Sequence, residues 1–190
     1  MTVAPARFAF GGRLSLDLTW TLRYRAVAPT ELLVEPSDLC RWLSVAVAAV
    51  DADCSRELLE AAVGLREAIH RAAVATIDGR AVQMADRSLI NDWSAHPAPF
   101  RQLGPRRRST TSARPGAEVE SALAAVADDA IGLLSAGDGR LRVCEGPGCS
   151  LLFHDSSRPG RRRWCSTERC GNRVNTSSYR RRRSAGSTRT

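Results

Sequence analysis

The stretch that decides the fold of the C-terminal part is Cys144-Glu-Gly-Pro-Gly-Cys149, followed after fifteen intervening residues by Cys165-Ser-Thr-Glu-Arg-Cys170. Two pairs of cysteines, each pair with the same short spacing, can supply the four ligands of one tetrahedral zinc ion. Gly146 and Gly148 allow the first pair to close a tight turn. Four cysteine ligands leave no open coordination position, so we predict one structural zinc rather than a catalytic one. Iron is the alternative metal for four thiolates, although rubredoxin-like sites usually have closer pairs.

Two cysteines and one histidine, Cys40, Cys54 and His154, are not assigned to the metal site. Six cysteines are an even number, which in a secreted protein would indicate disulfides. The chain shows no export signal, so we expect it to be cytoplasmic, or nucleoid-associated if bacterial, with reduced thiols. Cys40 and Cys54 are then small core residues. His154 is expected on the surface or at a phosphate rather than on the metal.

Between the two cysteine pairs the sequence predicts a β-hairpin. Residues 151–153 would form one strand, residues 157–160 the turn, and residues 161–164 the returning strand, with Phe153 and Trp164 covering the apolar side of the metal. A short helix is predicted to leave the metal site at the second pair.

The charge of the chain is concentrated at its end. Residues 1–140 hold 16 arginines and 17 acidic residues, whereas residues 141–190 hold 12 arginines and 3 acidic residues, a balance of +9. A segment this basic is typical of a nucleic-acid contact surface. In the predicted helix, arginine would read guanine and asparagine adenine in a major groove, and the remaining arginines would contact phosphates. The predicted nucleic-acid-binding residues are Arg158, Arg161, Arg162, Arg163, Asn172, Arg173, Ser177, Arg180, Arg181, Arg182 and Arg183.

The first 140 residues are predicted to form one mainly helical domain with minor β structure. Apolar side chains at three- and four-residue steps predict four helices: one after Pro36 with Ser37 as its cap, one after Ser55, one over residues 82–95 and one over residues 117–136. Residues 14–18 are an apolar stretch after a glycine turn. Residues 97–116 are predicted to be a loop with a weak hairpin across Gly104-Pro105.

These motifs resemble a known family. Residues 144–183 resemble the CGNR zinc finger, whose tetrad stands here as Cys170-Gly171-Asn172-Arg173, and residues 11–17 and 38–43 are similar to the ABATE domain that precedes it. The chain departs from the family pattern at Trp20-Thr21, where an Asn-Thr pair is usual. The resemblance implies a treble-clef-like module of a β-hairpin and a C-terminal helix, within a regulator of transcription.

We therefore expect a helical domain (1–140), a zinc module (141–183) and a disordered tail (184–190). The favoured function is a zinc-dependent transcriptional regulator that binds duplex DNA, while the helical domain forms a homodimer or senses a signal such as a small-molecule effector. The alternatives are an RNA-binding or ribosome-associated protein, or a protein-interaction module. No transmembrane segment is predicted, because the sequence has no apolar run of eighteen residues. No enzymatic activity is predicted either, because the one acid-base candidate, His70 with Glu67, is better explained as an ion pair on a helix surface.

Overall fold

A computed structural model of the chain describes residues 8–9, 11–47, 53–105 and 108–172. Those residues form a mainly helical N-terminal part with small antiparallel hairpins, followed by the cysteine-bearing module, so the predicted fold class is confirmed. The helices are α1 (Leu14–Thr19), α2 (Pro36–Ala46), α3 (Arg56–Ile77), α4 (Met84–Ser94) and α5 (Glu118–Ser135). The strands are β1 (Leu22–Arg23), β2 (Thr30–Glu31), β3 (Phe100–Leu103), β4 (Ser109–Ser112), β5 (Leu141–Val143) and β6 (Leu152–His154), and a π-helical turn spans Thr167–Gly171.

The predicted helices are present, although one cap was wrong. The Ser55 hydroxyl accepts a hydrogen bond from the Leu58 amide at 3.2 Å and begins α3, as predicted. In α2 the cap is Glu35 rather than Ser37. Pro36 occupies the first turn. The Glu35 carboxylate accepts a hydrogen bond from the Asp38 amide, and the Asp38 carboxylate accepts one from the Glu35 amide, which is a capping box.

Helix α1 was not predicted. It has six residues, which is too short for a helical period to stand out in the sequence. Tertiary contacts hold it instead, because the Ser15 amide and hydroxyl donate to the Asp129 carboxylate of α5 at 2.9 and 2.5 Å.

The apolar faces of α2, α3 and α5 meet in the main core, as the sequence periodicity predicted. A buried arginine joins the β1–β2 hairpin to this core. The Arg66 guanidinium, 2% exposed, donates to both Glu31 oxygens at 2.7 Å and to Glu67 at 2.7 Å. A buried cation is tolerated only when it is paired in this way. The fully buried residues of the core include Leu18, Leu39, Trp42, Leu43, Leu65, Ile69, Leu123 and Val126.

Cys40 and Cys54 form a disulfide, with their Cα atoms 5.8 Å apart. The prediction of two reduced core cysteines is therefore wrong for this pair. Cys40 lies within α2 and Cys54 lies next to the cap of α3, so it is the packing of consecutive helices that brings the two sulfurs together.

The hairpin of the zinc module differs from the prediction. Strand β6 pairs with β5, which precedes the first cysteine pair, in the register Leu141↔His154 to Val143↔Leu152. Residues 161–164 form no strand. The Cys144 amide bonds to the Leu151 carbonyl at 2.9 Å, so the first cysteine turn is itself the end of the hairpin.

Residues 157–160 do form the predicted turn, which a buried carboxylate organises. Asp155 accepts the Ser157 amide and hydroxyl at 3.0 and 2.6 Å and the Arg162 amide at 2.7 Å. These donors, with the Ser157 hydroxyl contributing most, lower the Asp155 pKa to about 2.

The helical domain and the zinc module share buried surface. Leu16, Ala73 and Leu133 pack against Leu141 and Leu152 in one hydrophobic cluster. Such contacts argue against two independently folding halves, an expectation raised by the change of composition near residue 140. The domain boundary itself stays a prediction. None of the helices in the described ranges is long and apolar enough to cross a membrane.

Candidate metal centre

The four cysteine sulfurs of the zinc module converge on one point. The Sγ atoms of Cys144, Cys149, Cys165 and Cys170 all lie within 4.8 Å of one another. Cys165 Sγ is 3.9 Å from Cys149 Sγ and 3.8 Å from Cys170 Sγ. A tetrahedron with Zn–S bonds of about 2.3 Å has sulfur–sulfur edges of about 3.8 Å, so the donor set fits one four-coordinate zinc.

The two elements that carry the ligands are shaped for this approach. Cys144 and Cys149 flank the end of the β5–β6 hairpin, whereas Cys165 lies just before the π-helical turn and Cys170 lies within it. A Cβ atom on Gly146 would lie 2.8 Å from Cys170 Sγ, so the second pair can come this close only because residue 146 is glycine. The backbone amides of Gly146 and Cys165 donate to Cys144 Sγ at 3.4 and 3.3 Å.

The crowding of four thiols itself indicates a bound cation. Hydrogen bonds from Cys149 and Cys165 lower the Cys144 pKa to about 2. The hydrogen bond between Cys144 and Cys149 raises the Cys149 pKa to about 11. The hydrogen bonds of Cys165 to Cys144 and Cys149 raise the Cys165 pKa as well. Four thiolates at this spacing therefore need a divalent ion to offset their repulsion, and zinc supplies that charge when bound.

An apolar shell surrounds the sulfurs. Phe153 and Trp164 belong to it, as predicted from the sequence, together with Leu151. Trp20 also belongs to it, although it lies in the helical domain and was not predicted there. Its ring is 3% exposed and its Nε1 donates to the Leu152 carbonyl at 2.6 Å.

The predicted phosphate-contacting arginines of the described residues are all exposed. Arg158 lies on the turn after β6, and Arg161 follows that turn. The Arg162 guanidinium lies 5.2 Å from the Phe153 ring centre and donates to the Cys165 carbonyl. Arg163 lies over Trp164 and pairs with Glu145 at 2.6 Å.

The rest of the predicted interface is described only at its beginning. Asn172 follows the π-helical turn and is exposed. The other predicted contacts lie outside the described residues, namely Arg173, Ser177, Arg180, Arg181, Arg182 and Arg183, as does the predicted tail, 184–190.

A cleft beside the cysteines contains residues that the sequence did not point to. Arg23, Tyr24 and Arg169 line it together with Leu151 and three of the cysteines, enclosing about 270 Å³. Burial lowers the Arg23 pKa, and the neighbouring charge of Arg169 lowers it further. Tyr24 has φ +53, the one positive φ among the described residues other than glycine. Because 146 positions separate Arg23 from Arg169, no local pattern could have predicted that they meet.

Two histidines that the sequence singled out are not at the metal. His154 Nε2 contacts Asp138 at 2.8 Å. Glu67 pairs with Arg25 and Arg66 rather than with His70, which is half-buried. Burial, followed by the charge of Arg25, lowers the His70 pKa to about 4.

Comparison with known families agrees with this geometry. Residues 12–137 match the model of the ABATE family, described as "Putative stress-induced transcription regulator", and residues 140–183 match that of the CGNR zinc finger. No curated protein matches the chain. The four clustered cysteines are thus the site of one structural zinc. The ABATE match covers well over half of the sequence, and the chain therefore belongs to the ABATE family and carries a CGNR zinc finger after the family's domain.

Proposed function

We propose that this protein is a transcription regulator that binds duplex DNA through its zinc module, while its ABATE domain senses a signal or dimerises. The observation that carries the proposal is the balance of +9 over residues 141–190, placed on a module that zinc holds in shape. Phosphates attract such a surface whatever the base sequence. The role is one of binding rather than catalysis, because four cysteines complete the metal's coordination.

The described arginines of the module suit phosphate contacts. Arg158 is exposed on the turn that Asp155 holds through hydrogen bonds, and Arg161 is exposed between that turn and the Arg162 amide, which Asp155 also binds. Arg23 and Arg169 add two cations on the cleft beside the metal. In this proposal Arg173, two positions after the zinc-anchored turn in the sequence, contributes to base recognition, whereas Arg181, Arg182 and Arg183 supply affinity.

A salt titration of two variants tests this division of roles. Each phosphate-contacting arginine contributes about −0.9 to the slope of log affinity against log salt concentration. Replacing Arg181, Arg182 and Arg183 with alanine is expected to weaken binding to all duplexes equally and to make the slope shallower. Arg173→Ala is expected to reduce the preference for a selected site over random DNA by roughly 1–3 kcal/mol, the worth of a bidentate guanine contact.

The preferred site for that comparison is obtained by selection from a random duplex pool. If the zinc-loaded protein binds no duplex at low salt, the DNA proposal is wrong as a whole. If the two variants behave alike, the separate role of Arg173 is wrong.

One observation favours a second candidate, an RNA ligand. Tyr24 is 40% exposed beside Arg23 and Arg169, and an exposed aromatic ring next to cations can stack on an unpaired base. Competition between a duplex DNA and a single-stranded RNA of equal length distinguishes the candidates. Stronger displacement by the RNA, lost in Tyr24→Ala, would favour RNA.

A further inference from the structure

The β3–β4 hairpin of the ABATE domain lies on the surface, and seven of its eight strand residues are exposed. We call β3 and β4, with the exposed Arg108 just before β4 and Arg114 just after it, the basic ribbon. Its strands pair from Phe100↔Ser112 to Leu103↔Ser109, and neither strand contributes to the hydrophobic clusters of the described residues. Leu103 is 85% exposed. An isolated two-stranded hairpin is marginally stable, so the basic ribbon adds little to the stability of the fold.

The charge of this region is one-sided. Residues 93–117 contain five arginines and no acidic residue, whereas the rest of residues 1–140 contains 11 arginines and 17 acidic residues. Arg101, Arg108 and Arg114 are exposed, and no described carboxylate forms a salt bridge with them. The positive charge of the basic ribbon is thus not used within the described part of the chain.

The register distributes hydrogen-bonding side chains over both faces. Arg101 lies opposite Thr111 and its Nε donates to Ser109 Oγ at 3.1 Å, so these three residues share one face. Gln102 and Thr110 lie opposite each other on the other face. A two-stranded ribbon of this kind can lie against a duplex, since the major groove, about 12 Å wide, admits one.

Helix α5 separates the basic ribbon from the zinc module. The helix begins at Glu118, shortly after β4, and near its other end Leu133 packs against Leu141 and Leu152 of the module. Eighteen residues at 1.5 Å each make the helix about 27 Å long. About eight base pairs of duplex cover the same distance, since two phosphates occur per 3.4 Å.

We propose that the basic ribbon is a second DNA-binding element, which contacts phosphates of the duplex that the zinc module binds. The duplex is chosen as the partner because the proposed function already places one on the zinc module at the other end of α5, and because arginines with hydroxyl and amide donors are the side chains that contact DNA phosphates. The inference rests on the proposed function. It adds that the ABATE domain contributes directly to affinity and lengthens the bound site by about eight base pairs.

The test compares two triple variants of the full-length, zinc-loaded protein. The ribbon variant carries R101Q, R108Q and R114Q. The control variant, R56Q with R80Q and R87Q, makes the same change in net charge at exposed helical-domain positions outside the ribbon. Zinc content and thermal unfolding check that both remain folded. Binding is measured by salt titration on random-sequence duplexes of about 30 and about 10 base pairs, lengths that do and do not span both elements.

The ribbon variant is expected to show a slope shallower by up to about 2.7, three contacts at 0.9 each, and affinity on the long duplex lower by tenfold or more. The wild type is expected to bind the long duplex more tightly than the short one by a margin that the ribbon variant loses. If the ribbon variant keeps the wild-type slope and length dependence, or the control variant matches it, the ribbon proposal is overturned while the proposed function stands. If the wild type binds neither duplex at low salt, both are overturned.

Discussion

The contact between Trp20 and the zinc module predicts that a single substitution in the helical domain weakens zinc binding. Trp20 lies in the apolar shell of the cysteines, and its indole donates to the Leu152 carbonyl at 2.6 Å. Trp20→Phe keeps an aromatic ring but removes this donor and part of the buried surface. Because folding of such a module is coupled to metal binding, energy lost at the contact reduces the apparent zinc affinity.

The magnitude follows from two contributions. A buried carbonyl left without its donor costs about 1–3 kcal/mol. The smaller ring buries roughly 40 Å² less apolar surface, worth about 1 kcal/mol at 25 cal/mol per Å². Together the loss is about 2–4 kcal/mol, which corresponds to zinc affinity weaker by roughly 30- to 700-fold at 1.4 kcal/mol per tenfold.

Competition with a chelator of known affinity measures this effect, and equilibrium denaturation gives the accompanying change in stability. Trp93→Phe is the matched control. Trp93 is half-buried against the helical core and stacks on His96, away from the cysteines, so its replacement should lower stability without changing zinc affinity. If Trp20→Phe binds zinc as tightly as the wild type, the Trp20 contact does not couple the two parts of the chain. If both variants weaken zinc binding equally, the effect comes from the stability of the helical domain in general and the specific role of Trp20 is wrong.

Three further perturbations have defined outcomes. Cys170→Ser removes one of four ligands, so elemental analysis should find less than one zinc per chain and denaturation should find most of the module's metal-linked folding energy, on the order of 10 kcal/mol, lost. The Cys40→Ser/Cys54→Ser variant should be less stable than the oxidised wild type by about 3 kcal/mol, the entropy of a 14-residue loop, and reductant should shift the melting temperature of the wild type only. Burial lowers the His70 pKa from 6.5 to about 4, so as the pH falls the unfolded chain takes up a proton before the folded protein does. The free energy of unfolding should therefore fall between pH 6.5 and 4 by up to about 3 kcal/mol, and His70→Gln should flatten that part of the pH profile.

The elements that the sequence predicted correctly depend on neighbours in the chain. The cysteine pairs and their glycines specify a metal site within 27 residues, and Ser55 caps the helix that begins at the next residue. The apolar stripes of α2, α3 and α5 have the period of the helix that they form. Each of these signals relates residues only a few positions apart in the sequence. They are the spacing within a cysteine pair, a helix cap and a helical period.

The errors have the opposite origin. The sequence predicted that the strand Leu152–His154 pairs with residues on its C-terminal side. It pairs instead with residues 141–143, because the first cysteine turn already holds these residues next to the strand. The six residues of α1 contain too little periodicity to be recognised. Their helix depends on Asp129, more than a hundred residues away.

The sequence by itself thus determined that this protein has a helical domain, a four-cysteine zinc site and a basic C-terminal segment, since composition, spacing and period are local quantities. Only the tertiary structure decided that Trp20 covers the zinc, that Arg23 and Tyr24 join Arg169 in the cleft beside it, and that Cys40 reaches Cys54. These contacts depend on how separate elements pack, and packing is specified by shape and burial over the whole chain rather than by any one stretch of it.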